Sequence, residues 1–270
     1  MARGSEQDFR VDGQVAVVTG GGAGIGEGIC TTLARAGAAV VVVDVNRDSA
    51  ERVAQSIREG GGRAVAVAGD VGNRATIDGM LGRACGEFGH LDILVNNAAI
   101  VTLCDFLDIP LEVWDQTFNV NLRAIFQSMQ AAGKIMREQG SGGAIVSIAS
   151  AQGLRPIAAG LTPYDVTKAG LIMLTKAAAL ELGRLRIRVN AIAPGAVDTT
   201  PANLDKQTLS TESAGFASGN QIVQTYVSRT PLGRAGKPVD IGRLVLFLVS
   251  PAASFITGET VIADGGFTLT

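Results

Sequence analysis

Seven short, nearly continuous runs of apolar and β-branched residues recur along the chain: Val15–Thr19, Ala39–Val43, Ala64–Ala68, Leu91–Val95, Ala144–Ile148, Arg188–Ile192 and Thr260–Ala263. Runs of this kind read as strands buried on both faces, as in a parallel sheet covered by helices. Between them lie stretches with helical spacing: Gly26–Ala36, Arg47–Glu59 and Ala75–Phe88. Strand alternating with helix predicts βαβ units, which right-handed crossovers wind into an open sheet. Residues 99–143 have room for two helices, and 196–240 read as an irregular, insertion-like segment. No repeat, proline-rich linker or charge block marks a boundary. The pattern therefore predicts the α/β class: a single doubly wound domain over residues 11–270, a seven-stranded parallel sheet with helices on both faces, preceded by a flexible segment at 1–10.

Composition narrows the function classes. Of 270 residues, 47% are hydrophobic and 18% charged, which excludes intrinsic disorder. Glycine supplies 35 residues without a collagen-like period, an excess that marks tight turns and close backbone approach to a ligand. The net charge of -2, from 23 basic and 25 acidic side chains, provides no footprint for nucleic acid. Cys30, Cys85 and Cys104 fit no metal spacing and read as free buried thiols in a reducing cytoplasm. His90, the only histidine, reads as a turn residue, since it has no second imidazole with which to build a zinc site. The opening residues Met1–Arg10 lack the apolar core of a secretion signal. No apolar run is long enough to span a membrane.

In an open parallel sheet, ligands bind beyond the carboxyl ends of the strands. The first run ends in Thr19-Gly20-Gly21-Gly22-Ala23-Gly24-Ile25-Gly26 and passes straight into a helical stretch. The spacing of Gly20, Gly24 and Gly26 lets backbone touch a pyrophosphate, and a helix start supplies free amides and a positive dipole end. Asp44 closes the second run, 18 residues past Gly26. A carboxylate there accepts from both adenine-ribose hydroxyls and repels a 2′-phosphate, predicting NAD over NADP. Arg47, three residues on, can soften that repulsion. Asp70, after the third run, reads either as a contact to the adenine edge or as an ordinary turn aspartate.

These features, with Asp70-Val71, Asn96-Asn97-Ala98-Ala99, Asn121, Ser150, Tyr164-x-x-x-Lys168, Asn190, Pro194-Gly195 and Asp264-Gly265-Gly266 in order, make the chain resemble the short-chain dehydrogenase/reductase family across residues 11–267. The resemblance implies a Rossmann fold and an NAD(H)-dependent exchange of hydride between a secondary alcohol and a ketone, with no metal. It implies Tyr164 as general acid/base, Ser150 polarising the carbonyl and Asn121 holding a relay water. It implies that Lys168 binds the nicotinamide ribose and lowers the tyrosine pKa. The i, i+4 spacing itself puts Tyr164 and Lys168 on one helix face, where an ammonium stabilises phenolate. Ser147, inside the fifth run, is the competing serine. For the cofactor the resemblance adds Ile25, Val71, Asn97, Ala98, Pro194, Gly195, Val197 and Thr199 to Gly20, Gly24, Gly26, Asp44, Asp70, Tyr164 and Lys168. Ala99 stands where the family commonly has glycine.

On the substrate side, Ser150, Gln152 and Tyr164 are the expected contacts, with Leu154, Arg155 and Leu161 lining the opposite wall and a mobile lid within 196–230. Arg155 reads equally as a partner for an acidic substrate group or as a solvated loop residue. The resemblance also implies a homotetramer paired through the helices of Asn121 and Tyr164, and an alternative activity, 3-oxoacyl-carrier-protein reductase, with Arg184, Arg186 and Arg188 as candidate docking residues. A catalytically silent dinucleotide-sensing scaffold is the non-enzyme reading.

Overall fold

The computed structural model describes residues 7–199 and 226–270. Its strands are β1 Val15–Thr19, β2 Ala39–Asp44, β3 Arg63–Ala68, β4 Ile93–Asn96, β5 Gly143–Ile148, β6 Ile187–Pro194 and β7 Thr260–Ala263. All pairings are parallel, in the order β3-β2-β1-β4-β5-β6-β7. The helices are α1 Gly24–Arg35, α2 Arg47–Glu59, α3 Arg74–Phe88, α4 Leu111–Phe118, α5 Ala124–Gln139, α6 Thr162–Leu182 and α7 Pro238–Val249. The seven apolar runs thus all become strands. The 99–143 interval holds two helices, α4 and α5.

Strand alternation sorts the core into two layers. Val15 and Val17 of β1 face Ile77, Met80 and Leu81 of α3 and Ile125 and Met129 of α5. Ala16 and Val18 face the other way, onto Ile29 and Leu33 of α1, Val53 of α2 and Ile241 and Val245 of α7. Each such fully buried Val, Leu or Ile contributes ~1.5–3 kcal/mol, which holds the central strands rigidly under the ligand-binding end. Residues 7–9 form a helical turn, and the Phe9 ring lies 6.2 Å from Phe247. The core of the expected lid, residues 200–225, falls outside the described residues.

The strand order reverses across β1 and β4, so the loops after these two strands diverge and leave a crevice. Thr19 pins that crevice open. Its hydroxyl donates to Val95 O and accepts from the N–H groups of Asn97 (3.0 Å) and Ala98 (3.1 Å). Between α4 and α5 the helix widens into one π turn, Asn119–Arg123, with Asn121 completely buried inside it. Such turns inside α-helices concentrate at functional sites.

Candidate active site

The loop after β1 can form only with glycine. Gly20 adopts φ +61°, and a Cβ on Gly26 would sit 1.9 Å from Gly20 O. Asn97 donates its amide protons to Thr19 O and Gly20 O, both at 3.0 Å, and so braces the loop from the β4 side. Helix α1 then opens at Ala23 with no side-chain cap, so its first-turn N–H groups face the crevice without a side-chain acceptor. Ile25, half-buried, follows Gly24 in that first turn. Asp44 ends β2 with both oxygens engaged: Oδ2 accepts from Gly22 N at 2.9 Å and Oδ1 from Asn46 N at 3.0 Å. Gly20, Asp44, Asp70, Val71, Asn97 and Ala98 all line one cleft of about 420 Å³. Asp70 is exposed there and accepts from Gly72 N, the geometry of a turn aspartate, while still fronting the cleft. Arg47 is exposed at the start of α2.

On the far side, Pro194 ends β6, and Gly195 donates to Ala263 O. Val197 bridges to Gly236. Thr199 faces the glycine loop, its methyl 3.1 Å from where a Gly24 Cβ would lie. The two strand ends expected to clasp one ligand are therefore adjacent.

The proposed chemistry sits above β5. Ser150 is buried, follows the strand and hydrogen-bonds Tyr164 near the start of α6. Ser147 is completely buried within β5 and accepts from Asn96, which leaves Ser150 as the serine that meets the tyrosine. Lys168, fully enclosed, donates to Ile148 O at 2.7 Å, and its Nζ lies 5.4 Å from the centre of the Tyr164 ring. Only one of its three N–H donors is used by that bond. Asn121 donates to Ile100 O and to Thr167 Oγ1 and accepts from Ile100 N. Thr167 in turn donates to Tyr164 O, so the π turn buttresses the first turn of α6.

One electrostatic expectation is corrected. Burial pushes the Tyr164 phenol above its ordinary value, against the opposing hydrogen bond from Ser150, and the Lys168 ammonium does not reverse the direction. Burial also depresses Lys168 itself, to about 8. Desolvation dominates because both groups lie in dense protein, where each disfavours its charged form.

Arg155 is held against the chain's end: it donates to Thr270 O at 2.8 Å and lies 5.8 Å from the Phe267 ring centre. Arg229 covers the same ring and donates to the same oxygen, and Tyr226 stacks on it at 4.3 Å. Leu161 is buried at the start of α6, whereas Leu154 stays exposed. Cys30 is buried, but Cys85 and Cys104 only partly so; all three are free. His90 lies in the short connection between α3 and β4, against Gly13 O and Asp92. Among the described residues there is no metal-ligand cluster and no helix long and apolar enough to cross a membrane.

A family model described as enoyl-(acyl carrier protein) reductase matches residues 20–268. Cyclopentanol dehydrogenase of a Comamonas species is 37% identical over 259 residues, covering 96% of this chain and 98% of that protein. L-Rhamnose 1-dehydrogenase (NAD(P)(+)) of Azotobacter vinelandii is 37% identical over 254 residues, covering 93% and 94%. A 7α-hydroxysteroid dehydrogenase structure, complexed with NADH and 7-oxo glycochenodeoxycholic acid, superposes with TM-score 0.87 at 35% identity over 98% of both chains. With the doubly wound sheet and the ordered loops behind it, this likeness along nearly the whole length shows that the chain is an oxidoreductase belonging to the short-chain dehydrogenase/reductase family.

Proposed function

We propose that the protein interconverts a secondary alcohol and a ketone with NAD(H), using Tyr164 as the general acid/base. The observation that carries this is the cluster above β5: a phenol hydrogen-bonded to Ser150 and roofed by a buried ammonium, beside a glycine-only loop. A dinucleotide fits the crevice on three grounds: the uncapped start of α1, the loop that admits no Cβ at Gly26, and the 420 Å³ cleft ending at Asp44. Gly20, Gly24, Ile25 and Gly26 would lie along its pyrophosphate. Asp44, Asp70, Val71, Asn97 and Ala98 would take the adenosine side, and Pro194, Gly195, Val197 and Thr199 the nicotinamide side. The carboxylate of Asp44 favours NAD over NADP.

When bound, the nicotinamide supplies the hydride acceptor or donor. The protein's residues do the rest. Ser150 donates to the substrate oxygen as it gains alkoxide character. Tyr164 gives its proton to a ketone oxygen and takes one back from an alcohol. Lys168, anchored on Ile148 O, has two donors left for ribose hydroxyls. Both amide protons of Asn121 and one lone pair are already used. A relay water is therefore left the second lone pair of Oδ1 or the main chain of the π turn. Gln152 sits beside Ser150 on the substrate side.

The acyl-carrier-protein alternative loses one of its three docking arginines. Arg188 donates to the carbonyls of Leu248, Val249 and Ser250, whereas Arg184 and Arg186 stay exposed, Arg186 donating to Gly140 O.

The outer face of α5 and α6 exposes Phe126, Val166, Met173 and Leu180 beside a groove of about 260 Å³, which favours burial against copies of the chain. A homotetramer in a reducing cytoplasm accounts for that face and for the three free thiols. Light scattering should return four times the 27.7 kDa subunit mass; a monomer mass would remove the assembly. The test of function is a panel of sugars, polyols, hydroxysteroids, cyclic alcohols and 3-hydroxyacyl thioesters with NAD, followed at the reduced-nicotinamide band. No turnover of any of them with NAD or NADP would refute the reading.

A further inference from the structure

The glycine loop is also gripped from outside, by α2. Arg52 reaches from that helix to the start of α1 and forks onto Glu27. Its Nη1 donates to Glu27 Oε1 at 2.8 Å and its Nη2 to Oε2 at 2.7 Å. The same Nη2 donates to Gly22 O at 2.8 Å. Gly22 is therefore fixed on both sides, its N–H on Asp44 Oδ2 and its carbonyl on Arg52. Most surface ion pairs contribute little, but a bidentate fork tied to a third acceptor has a set geometry.

Glu27 is the acidic residue in the first turn of α1, and its N–H makes the opening bond of that helix, to Ala23 O. A carboxylate there suits a helix that binds nothing, because it meets the positive end of the dipole. At a helix start that receives a pyrophosphate, the same carboxylate is a competitor. Two anions then share one positive end and repel each other. Gly24, Ile25 and Gly26 carry no charge that would cancel it. Arg52 does so, with a donor on each oxygen, and it holds the carboxylate on the α2 side. Among the described residues it is the one ionic partner of Glu27.

We propose that Arg52 is a positioning residue for cofactor binding: it masks the Glu27 carboxylate so that the start of α1 can accept the pyrophosphate of a dinucleotide. The proposal rests on the dinucleotide reading given above and deepens it. A pair that merely tied α2 to α1 would act on stability, and nucleotide affinity would be indifferent to the charge at position 27.

The test is a double-mutant cycle on the full chain, read by NADH fluorescence titration. Arg52→Gln keeps an N–H donor for Gly22 O and removes the charge. It should weaken NADH binding about fivefold, the scale of one charge at a helix end. Adding Glu27→Gln should recover about threefold of that loss, because no carboxylate is left to mask. In about 0.5 M salt the gap between wild type and Arg52→Gln should shrink below about twofold, since both side chains are partly exposed. Glu27→Gln alone should bind NADH as tightly as wild type. Equal affinity of Arg52→Gln and wild type would overturn the masking, and so would a double variant no tighter than Arg52→Gln. A loss in Glu27→Gln as large as that in Arg52→Gln would overturn it too, by showing a structural tie. Melting temperatures without nucleotide report folding separately, and Arg52→Met takes the place of Arg52→Gln if that variant does not fold. A wild-type chain that binds neither NADH nor NADPH would refute the dinucleotide reading and the masking with it. Binding by wild type with a flat cycle strikes the masking alone.

Discussion

The two halves of the crevice are finished to different degrees. Around the glycine loop the side chains that brace it have partners: both oxygens of Asp44, the amide of Asn97 and the hydroxyl of Thr19. Above β5 the accounts stay open. Gln152 and Asp165 each keep a buried oxygen unpaired, and burial displaces both Tyr164 and Lys168 from their ordinary titration ranges. The nucleotide side is preformed and rigid. The reacting side carries desolvation that its own partners leave uncompensated. Strain of this kind belongs where chemistry and selectivity are set.

The sharpest way to break this contrast is Tyr164→Phe. It should cost roughly 10²–10⁴ in turnover, the usual worth of a positioned acid/base. NADH affinity, read by fluorescence titration, should change little, because the finished half is untouched. Retained turnover would move the acid/base elsewhere.

Asp44→Ala should have a smaller but selective effect, lowering the NAD-to-NADP ratio of kcat/KM by about 10-fold, on the order of one lost charge-assisted bond. Since Asp44 also accepts from Gly22 N and Asn46 N, the affinity for both cofactors should fall as well. An unchanged ratio would place cofactor selection outside β2.

The smallest effect concerns stability. The Asp165 carboxyl titrates near 6 in the fold against an ordinary 3.8. A group raised in this way adds stability that is complete below the unfolded value and is lost as pH rises through about 6. The gap corresponds to at most roughly 3 kcal/mol, and water in the open cleft that Asp165 fronts reduces that to about 1–2 kcal/mol. Asp165→Asn should therefore raise the denaturation midpoint at pH 8 and leave it unchanged below pH 4. A variant less stable than wild type at pH 8 would mean that the carboxylate is paired.

The sheet was legible because each of its strands is an uninterrupted apolar run, and all seven stand within a few residues of where that pattern predicts them. The uncapped α1 start and the Tyr164–Lys168 pairing were legible for the same reason: they depend on local spacing. What escaped depends on distant packing. The i, i+4 rule predicts a lowered phenol, but it carries no information on how much protein encloses the pair. Arg155 has nothing near it in sequence to suggest Phe267 or Thr270, 112 and 115 positions away. Asp165, inside the Tyr-x-x-x-Lys segment, looks like a filler position until its neighbours are seen to be alanine, isoleucine and proline. The orphaned oxygen of Gln152 is likewise visible only once the loop is closed.

The strand order has a consequence for how such an enzyme can be re-tooled. The nucleotide cleft grows from the ends of β1, β2 and β4, whereas the 151–162 wall is one uninterrupted stretch hung between β5 and α6. A graft of that single stretch from a relative would exchange most of the wall proposed to face the substrate while leaving Thr19 through Ala98 untouched. The scaffold can thus change its diet by swapping one cassette, with no redesign of the machinery that handles electrons.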